Sequence, residues 1–592
     1  MIKFQTPAWE WDLSNLGLSF NEASDYFSNK ISKSFSFPAN IKITDDVAIK
    51  LGLVNHNNVS SYTNKIYGYL TLDNAFYDAY ISINDTDGET AEITFFYGKE
   101  VLSVFDKNLN ELPFPIIIAN GGLPSFAKTQ ISKFWPEATH NFPKIWREDI
   151  KQKANYSHFE YFINNYVNNS GWEFPVNTTD LIEGVNTVVN RNIMAPFPYL
   201  LEIFKIAFKS EGLEIRGEFV NDDLIKKILL VPKNYFEKFA VTQYDNYSFN
   251  LYTRQETISG KTVNVFEKIH TPTEEGSYSL KIRVNLSNAQ AQYFSLTVVQ
   301  NFVTLYEAKS TNKRVVINEE IDINIVNTDV FNPIKVELKL YSQHNSIAPY
   351  NNFTYEFKEG QLNIFPETYS LADFMPDINF REFINRIKTW FNLKFDYTEN
   401  AVYINYLDNA IGALNFIDKS HLEQPKPKRK LSENNLFKLN YLNKQEVFFS
   451  KEGQIYSTTD FVDQETTKIP IEVLPLEVNE NKGSVTAIYP EDDEDLMFCL
   501  YNGLLGNEPL AVDKINNESL NLQDVVNKCW VNWLRFRANS ETYKDSFQMH
   551  VSETLNIKEG IFKYNKNHLI KTKRTKRIDE ENWQVDVESE TL

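Results

Sequence analysis

The chain is 592 residues long, 42% apolar and 23% charged, with a formal net charge of −19. That length exceeds one hydrophobic core and predicts about three to five domains, while the negative charge excludes nucleic-acid binding through the bulk field, which needs clustered Lys and Arg. With only two cysteines, Cys499 and Cys529, a disulfide framework and a CxxC metal site are excluded and a reducing compartment is expected.

MIKFQTPAWEWDLSN lacks the apolar run of a signal peptide, and no stretch approaches the roughly 18 apolar residues of a membrane span. Neither secretion by that route nor a membrane anchor is expected. The 44 Phe, 31 Tyr and 9 Trp favour half-buried strands and extended interfaces. Over 1–150 the pattern is mostly strand. KSFSFPANIKIT alternates through Phe35, Phe37, Ile41 and Ile43, and KIYGYLTL, AYISIN, AEITFFYG and VLSVF follow at short spacing, which predicts a small barrel or sandwich. DVAIKLGL, Asp46 to Leu53, reads as a helical turn or an irregular connection. In NDTDG, Asp85, Asp87 and Gly88 begin like a calcium loop, but the distal Glu is missing, so a hairpin turn is expected. ANGGLP near Gly121 lacks the ending of a phosphate loop and reads as a turn.

Over 151–245 helix and strand signals mix. HFEYFINNYVNN reads as helical through Phe159, Phe162, Ile163 and Tyr166. Next, Leu200, Ile203, Phe204, Ala207 and Phe208 form one helical stripe, Gly212 stands where a left-handed C-cap is needed, and Leu213 and Ile215 resume as strand. The same unit returns near 378–407. Phe380, Phe383, Ile384, Ile387 and Phe391 make the stripe, and Leu393, Phe395 and Tyr397, then Val402 and Ile404, make two strands. Between the copies, 246–365 is almost pure strand, with alternation such as Tyr278, Leu280, Ile282 and Val284, and predicts an inserted jelly-roll-like sandwich.

QPKPKRK, Gln424 to Lys430, reads as a solvated linker, with a nucleic-acid or lipid contact as the alternative. PEDDED, Pro490 to Asp495, reads as a solvated loop. Near the end, Leu522, Val525, Val526, Cys529, Trp530, Trp533 and Leu534 form one helix stripe, which makes Cys529 a buried free thiol. Strands around Ile561, Leu569 and Trp583 to Val587 close the chain. The basic run KTKRTKR, Lys571 to Arg577, is either solvated or set against an acidic neighbouring subunit.

None of the eight histidines lies within five residues of another, and HExxH and GxSxG are absent. No catalytic, cofactor or metal residue is expected. A carboxylate pair of the glycosidase kind leaves no local signature, so a hydrolase with dispersed carboxylates is an alternative.

FSFPANIKIT, FPYLLEIFKIAFKSEGLEIRGEF, MPDINFREFINRIKTWFNLKFDY and the ending HVSETLNIKEGIFKYNKNHLIKTKRTKRIDEENWQVDVESETL resemble, in that order, the hub proteins at the tips of tailed-phage tails, including phages of Bacteroidetes-type hosts. The pattern spans about two-thirds of the chain, and the 246–365 block departs from a minimal hub. The resemblance implies a β-rich α+β multidomain fold: tube-like β-barrels at 1–150 and 470–592, helix-on-sheet units at 151–245 and 366–469, and the inserted β-sandwich. It also implies a homotrimer in the virion, assembled in the host cytoplasm, joining a tail tube or distal tail ring to spike or receptor-binding proteins, with DNA only in transit. A phage-derived injection system is a related possibility. A competing reading makes the sandwich a host-surface glycan binder through Tyr341, Tyr350 and Phe353, residues that would otherwise form a buried strand edge.

Overall fold

In the first hundred residues the alternating segments become strands because one side of each must leave water. The fold comes from a computed structural model that describes residues 2–27, 34–53, 64–72, 75–98, 102–151, 159–182, 185–236, 243–248, 252–272, 276–285, 293–310, 315–325, 331–341, 353–359, 368–431, 436–442, 445–456, 466–490 and 496–592. PEDDED falls almost wholly outside them. The chain is β-rich with few helices, as expected.

The largest sheet has 14 strands and is built from both ends of the chain. From the edge strand Glu10–Asp12 it runs through Ile2–Gln5, Lys65–Leu72, Ala75–Thr86, Thr90–Tyr97 and Ser34–Ser36 to Ser19–Ala23. It then continues through Lys566–Arg577, Asn582–Thr591 and Glu541–His550 to the other edge, Lys428–Leu431. The join is the antiparallel pairing of Ser19–Ala23 with Thr572–Lys576. Phe20 fills the core across it, its ring 5.8 Å from Tyr97 and 6.4 Å from Trp583. Two separately closed barrels would have no free edges at which to pair in this way. Among the described residues the strands form one open, joined sheet and no closed ring.

Local details follow the turn chemistry. NDTDG is the expected hairpin, with Gly88 at φ 88° and the Asp87 carboxylate accepting from the Glu89 and Thr90 backbone N–H groups at 2.9 and 2.6 Å. Asp45–Lys50 is a short helix capped by Thr44. VLSVF, expected as strand, instead ends in a 3-10 turn over Ser103–Asp106, because Val104 and Phe105 are needed in the central core. Of the basic segments, QPKPKRK is solvent-facing as expected but ends in a strand, and Lys571 to Arg577 meets carboxylates of this same chain. Lys428–Leu431 is an edge strand, and Arg429 forks onto Glu541. Within Lys571 to Arg577, Lys571 pairs with Glu588 at 3.0 Å, Lys573 with Glu22 at 2.6 Å, and Arg574 covers the Phe37 ring at 4.3 Å.

The two helix-on-sheet units form one body. The helices Leu200–Lys209 and Phe380–Phe391 share a core, and the strand Glu214–Arg216 lies parallel to Ala401–Tyr406, which pairs in turn with Leu393–Tyr397. Asn379 caps the second helix by accepting from Glu382 N–H at 2.9 Å, and Asn392 ends it in the left-handed region at φ 50°. Gly217, at φ 113°, lets the first unit approach the second; a Cβ there would stand 2.4 Å from the Ile404 carbonyl oxygen. The stripe expected as one C-terminal helix is two, Leu522–Cys529 and Val531–Asn539, broken at Trp530. The break lets Trp530 and Trp533 turn inward, where they donate to the Trp390 carbonyl at 3.3 Å and the Tyr26 carbonyl at 2.7 Å. Lys388 reaches Asp25 at 3.1 Å in a buried pair that ties this body to the terminal sheet.

HFEYFINNYVNN is not helical. Tyr161 and Asn164 have φ of 72° and 49°. The Asn164 amide accepts from Ala195 N–H and donates to Ala195 C=O, both at 2.9 Å, replacing the helix bonds its backbone would have made.

The inserted segment is a sandwich of two antiparallel sheets. Its eight principal strands are Gln243–Ser248, Lys261–His270, Gly276–Asn285, Tyr293–Gln300, Val303–Ser310, Val316–Ile325, Ile334–Tyr341 and Phe353–Glu359. They pair in the order first, eighth, third, sixth in one sheet and second, seventh, fourth, fifth in the other, with Arg254–Ile258 added beside the second. This is jelly-roll connectivity, as expected. At its root, Phe236 exchanges backbone hydrogen bonds with Met194 and packs its ring 5.6 Å from Tyr369, so the chain leaves and returns at one place.

Candidate interaction surface and groove

Of the three residues expected to contact glycan, only Tyr341 has a described side chain. Tyr341 is half-buried at the end of its strand in the five-stranded sheet, with Lys261 5.5 Å from its ring. Phe353 begins a strand of the other sheet, opposite Val284, and its side chain lies outside the described residues, as does Tyr350 altogether. Around Arg254 the five-stranded sheet carries an ion-pair ladder. Arg254 contacts Glu267, Glu337 and Glu256 at 2.5, 2.8 and 2.9 Å. Lys335 bonds Glu267 and Lys339 bonds Glu256, each at 2.8 Å. Hydrogen bonds from Lys335 and Arg254 hold Glu267 below the usual carboxylate range.

An aromatic surface does occur, on the terminal sheet. In KIYGYLTL the period of two puts Tyr67 and Tyr69 on the same, outward side. They are 46% and 42% exposed, and Phe76 is 62% exposed, on a sheet face where polar residues are the rule. Phe76 stacks on Tyr69 at 5.0 Å and 17°. Tyr67 meets Tyr80 at 5.5 Å, Tyr80 stacks on Phe96 at 4.9 Å, and Phe96 leads to Phe35 at 6.2 Å. Gly68 carries no side chain because Phe4 and Gln5 fill that space: a Cβ would lie 2.3 Å from the Gln5 carbonyl oxygen. Lys65 flanks the belt, 5.4 Å from the Tyr80 ring and paired with Asp106 at 2.6 Å.

Beside Tyr67 and Tyr69 runs a groove of about 310 Å³, whose far wall is Leu102, Ser103 and Glu211. One Glu211 carboxylate oxygen accepts from Ser103 Oγ at 2.6 Å and from Val104 N–H at 2.8 Å. The sequence shows these tyrosines as strand residues. Their exposure, and Glu211 opposite them, depend on how distant segments meet.

Several other buried titratable groups are shifted by burial or paired within the chain. Burial lowers His140 to about 3 and His568 to about 4, so both imidazoles are neutral at pH 7. His140 lies 2.6 Å from the Tyr369 hydroxyl, and His568 lies 3.0 Å from the Lys563 carbonyl. Cys499 and Cys529 are buried free thiols whose pKa burial raises, which makes them poor nucleophiles. Lys563 and Asp545 form a buried pair at 2.9 Å, and Tyr564 donates to Asp545 at 2.7 Å. Among the described residues there is no group of three or more His, Cys, Asp or Glu placed to hold a metal, and no helix is long and apolar enough to cross a membrane.

No family model and no curated protein matches the chain. Among solved structures, dimeric latent PorU from Porphyromonas gingivalis is 6% identical at a TM-score of 0.14, covering 21% of this chain and 13% of PorU. A family 35 carbohydrate-binding module from Cellvibrio japonicus Abf62 is 17% identical at a TM-score of 0.12, covering 23% of this chain and 97% of the module. The 43 kDa tail protein of prophage MuSo2 from Shewanella oneidensis is 7% identical at a TM-score of 0.19, covering 61% of this chain and 97% of that protein. These are partial, low-scoring likenesses to a prophage tail protein and to carbohydrate-binding modules, and they assign the chain to no family.

Proposed function

We propose that this chain is a non-enzymatic structural protein of a phage tail, a tail-tip or baseplate hub working as a homotrimeric ring in the virion. The ring joins a tail tube or distal tail ring to spike or receptor-binding proteins and leaves a channel through which DNA passes. The observation that carries this reading is the join between Ser19–Ala23 and Thr572–Lys576, which sets two β-rich halves side by side in one sheet. Two such halves per chain let three copies present six similar faces, the arrangement the hub resemblance implies. A closed ring also gives each copy a head-to-tail contact that ends on itself. The helix-on-sheet body supports the same reading, since its aromatic interior is filled by its own side chains and braces the sheet from outside.

Native mass spectrometry with negative-stain imaging of the full chain tests it. Three copies in a ring with an open centre are expected. A stable monomer at micromolar concentration would reject the hub.

A further inference from the structure

The groove beside the terminal sheet has the makings of a ligand site separate from the sandwich. Its volume of about 310 Å³ lies at the small end of ligand clefts, which run to roughly 300–1,000 Å³. One side carries Tyr67 and Tyr69, and the other sets Ser103 and Glu211 beside Leu102. Phe76 covers one face of Tyr69, so the ring offers a single open face and is a platform, not a cage that would surround a cation. Glu211 is fixed opposite by two donors that both bond the same carboxylate oxygen. A carboxylate only accepts hydrogen bonds, so its second oxygen calls for a ligand that donates. Asp78 lines the same groove, and the Glu211 carboxylate disfavours an anion. An uncharged ligand with an apolar face and a rim of O–H donors meets all of these demands.

We infer that the Tyr67–Tyr69–Glu211 groove binds a pyranose ring of a neutral glycan chain. The sugar's C–H face stacks on Tyr69, its edge meets Tyr67, and a ring hydroxyl donates to Glu211. Gly68 leaves the space between the two tyrosines, on the opposite side of the strand, to Phe4 and Gln5. This site does not depend on the hub reading, and it lies on a different element from Tyr341 and Phe353.

The test is calorimetric titration of the full-length chain with cellohexaose, chitohexaose and maltohexaose, with choline as the cationic control. At least one hexasaccharide binds, and choline does not. Tyr69→Ala weakens that binding roughly tenfold or more and Glu211→Gln roughly fivefold, while Tyr69→Phe keeps the platform and most of the affinity. Tyr341→Ala leaves it unchanged. Thermal melts of each variant separate lost binding from lost folding. The inference is overturned if none of the three sugars binds at millimolar concentration, if binding survives Tyr69→Ala, or if choline binds. It is also overturned if Tyr69→Ala leaves sugar affinity intact and dissociates the oligomer, which assigns the face to a neighbouring copy. Oligomer mass is read in the same samples, so the hub reading stands or falls on its own measurement.

Discussion

Phe208 and Phe380 meet edge to face, ring centroids 5.4 Å apart and planes at 78°, although they come from helices on opposite sides of the inserted sandwich. Phe204 and Phe383 join the same two helices in a tilted contact at 5.7 Å and 50°. What reads in sequence as a unit used twice is therefore a single core with two contributors.

Truncating that core is expected to loosen both units together. Phe380→Ala removes a fully buried ring and is expected to cost about 3–5 kcal/mol. Hydrogen exchange should show protection falling in both 200–216 and 380–406. Loss confined to the mutated helix would mean that the units are independent.

The two glycines of the first unit separate strain from crowding. Gly217→Ala meets the Ile404 carbonyl at 2.4 Å from a backbone at φ 113°, so conformational strain of about 1–3 kcal/mol is added to a clash with main chain. Gly212→Ala has φ 76° and nothing within 4 Å, so only the strain applies, about 1 kcal/mol. Urea unfolding of the two variants should rank them in that order.

The buried Lys563–Asp545 pair is expected to matter far more when broken than when replaced. Asp545→Asn leaves the Lys563 ammonium without its counter-charge, with side-chain exposure of only 3%, and should cost about 3–5 kcal/mol. Replacing both residues by apolar side chains should recover most of that loss. A double-mutant cycle in chemical denaturation measures the coupling.

Mild acid should weaken the fold through two buried histidines. His140 and His568 have folded values of about 3 and about 4 against an unfolded value near 6.5. Below about pH 6.5 the unfolded chain takes up protons that the folded one refuses, so stability is full above that pH. It then falls progressively toward the folded values. Each histidine should cost about 2 kcal/mol at about pH 5. Thermal melts between about pH 7.5 and pH 5 check this, and His140→Gln should flatten part of the slope.

Much of the architecture was legible because periodicity is a local property. The alternation of Tyr278, Leu280, Ile282 and Val284 already marks a sandwich strand, and the Phe380 to Phe391 stripe already marks a helix. Pairing partners were not legible. Nothing local in Ser19–Ala23 points to Thr572–Lys576, and the basic residues after Ile570 look solvated until Glu22 and Glu588 are brought beside them. HFEYFINNYVNN misleads for a specific reason. Its apolar spacing suits a helix, but Asn164 and Asn192 use side-chain amides to bond the backbone of distant segments. The groove was hidden likewise, since Tyr69 and Glu211 come together only when the sheet and the first helix dock.

Because Phe236 and Tyr369 clasp each other, the frame forms a closed handle, and the sandwich is the attachment inserted in sequence between its two ends. Selection could exchange that attachment, or lengthen and decorate it, without retuning the parts that hold the handle together. Diversity between related chains should therefore concentrate between those two aromatic rings.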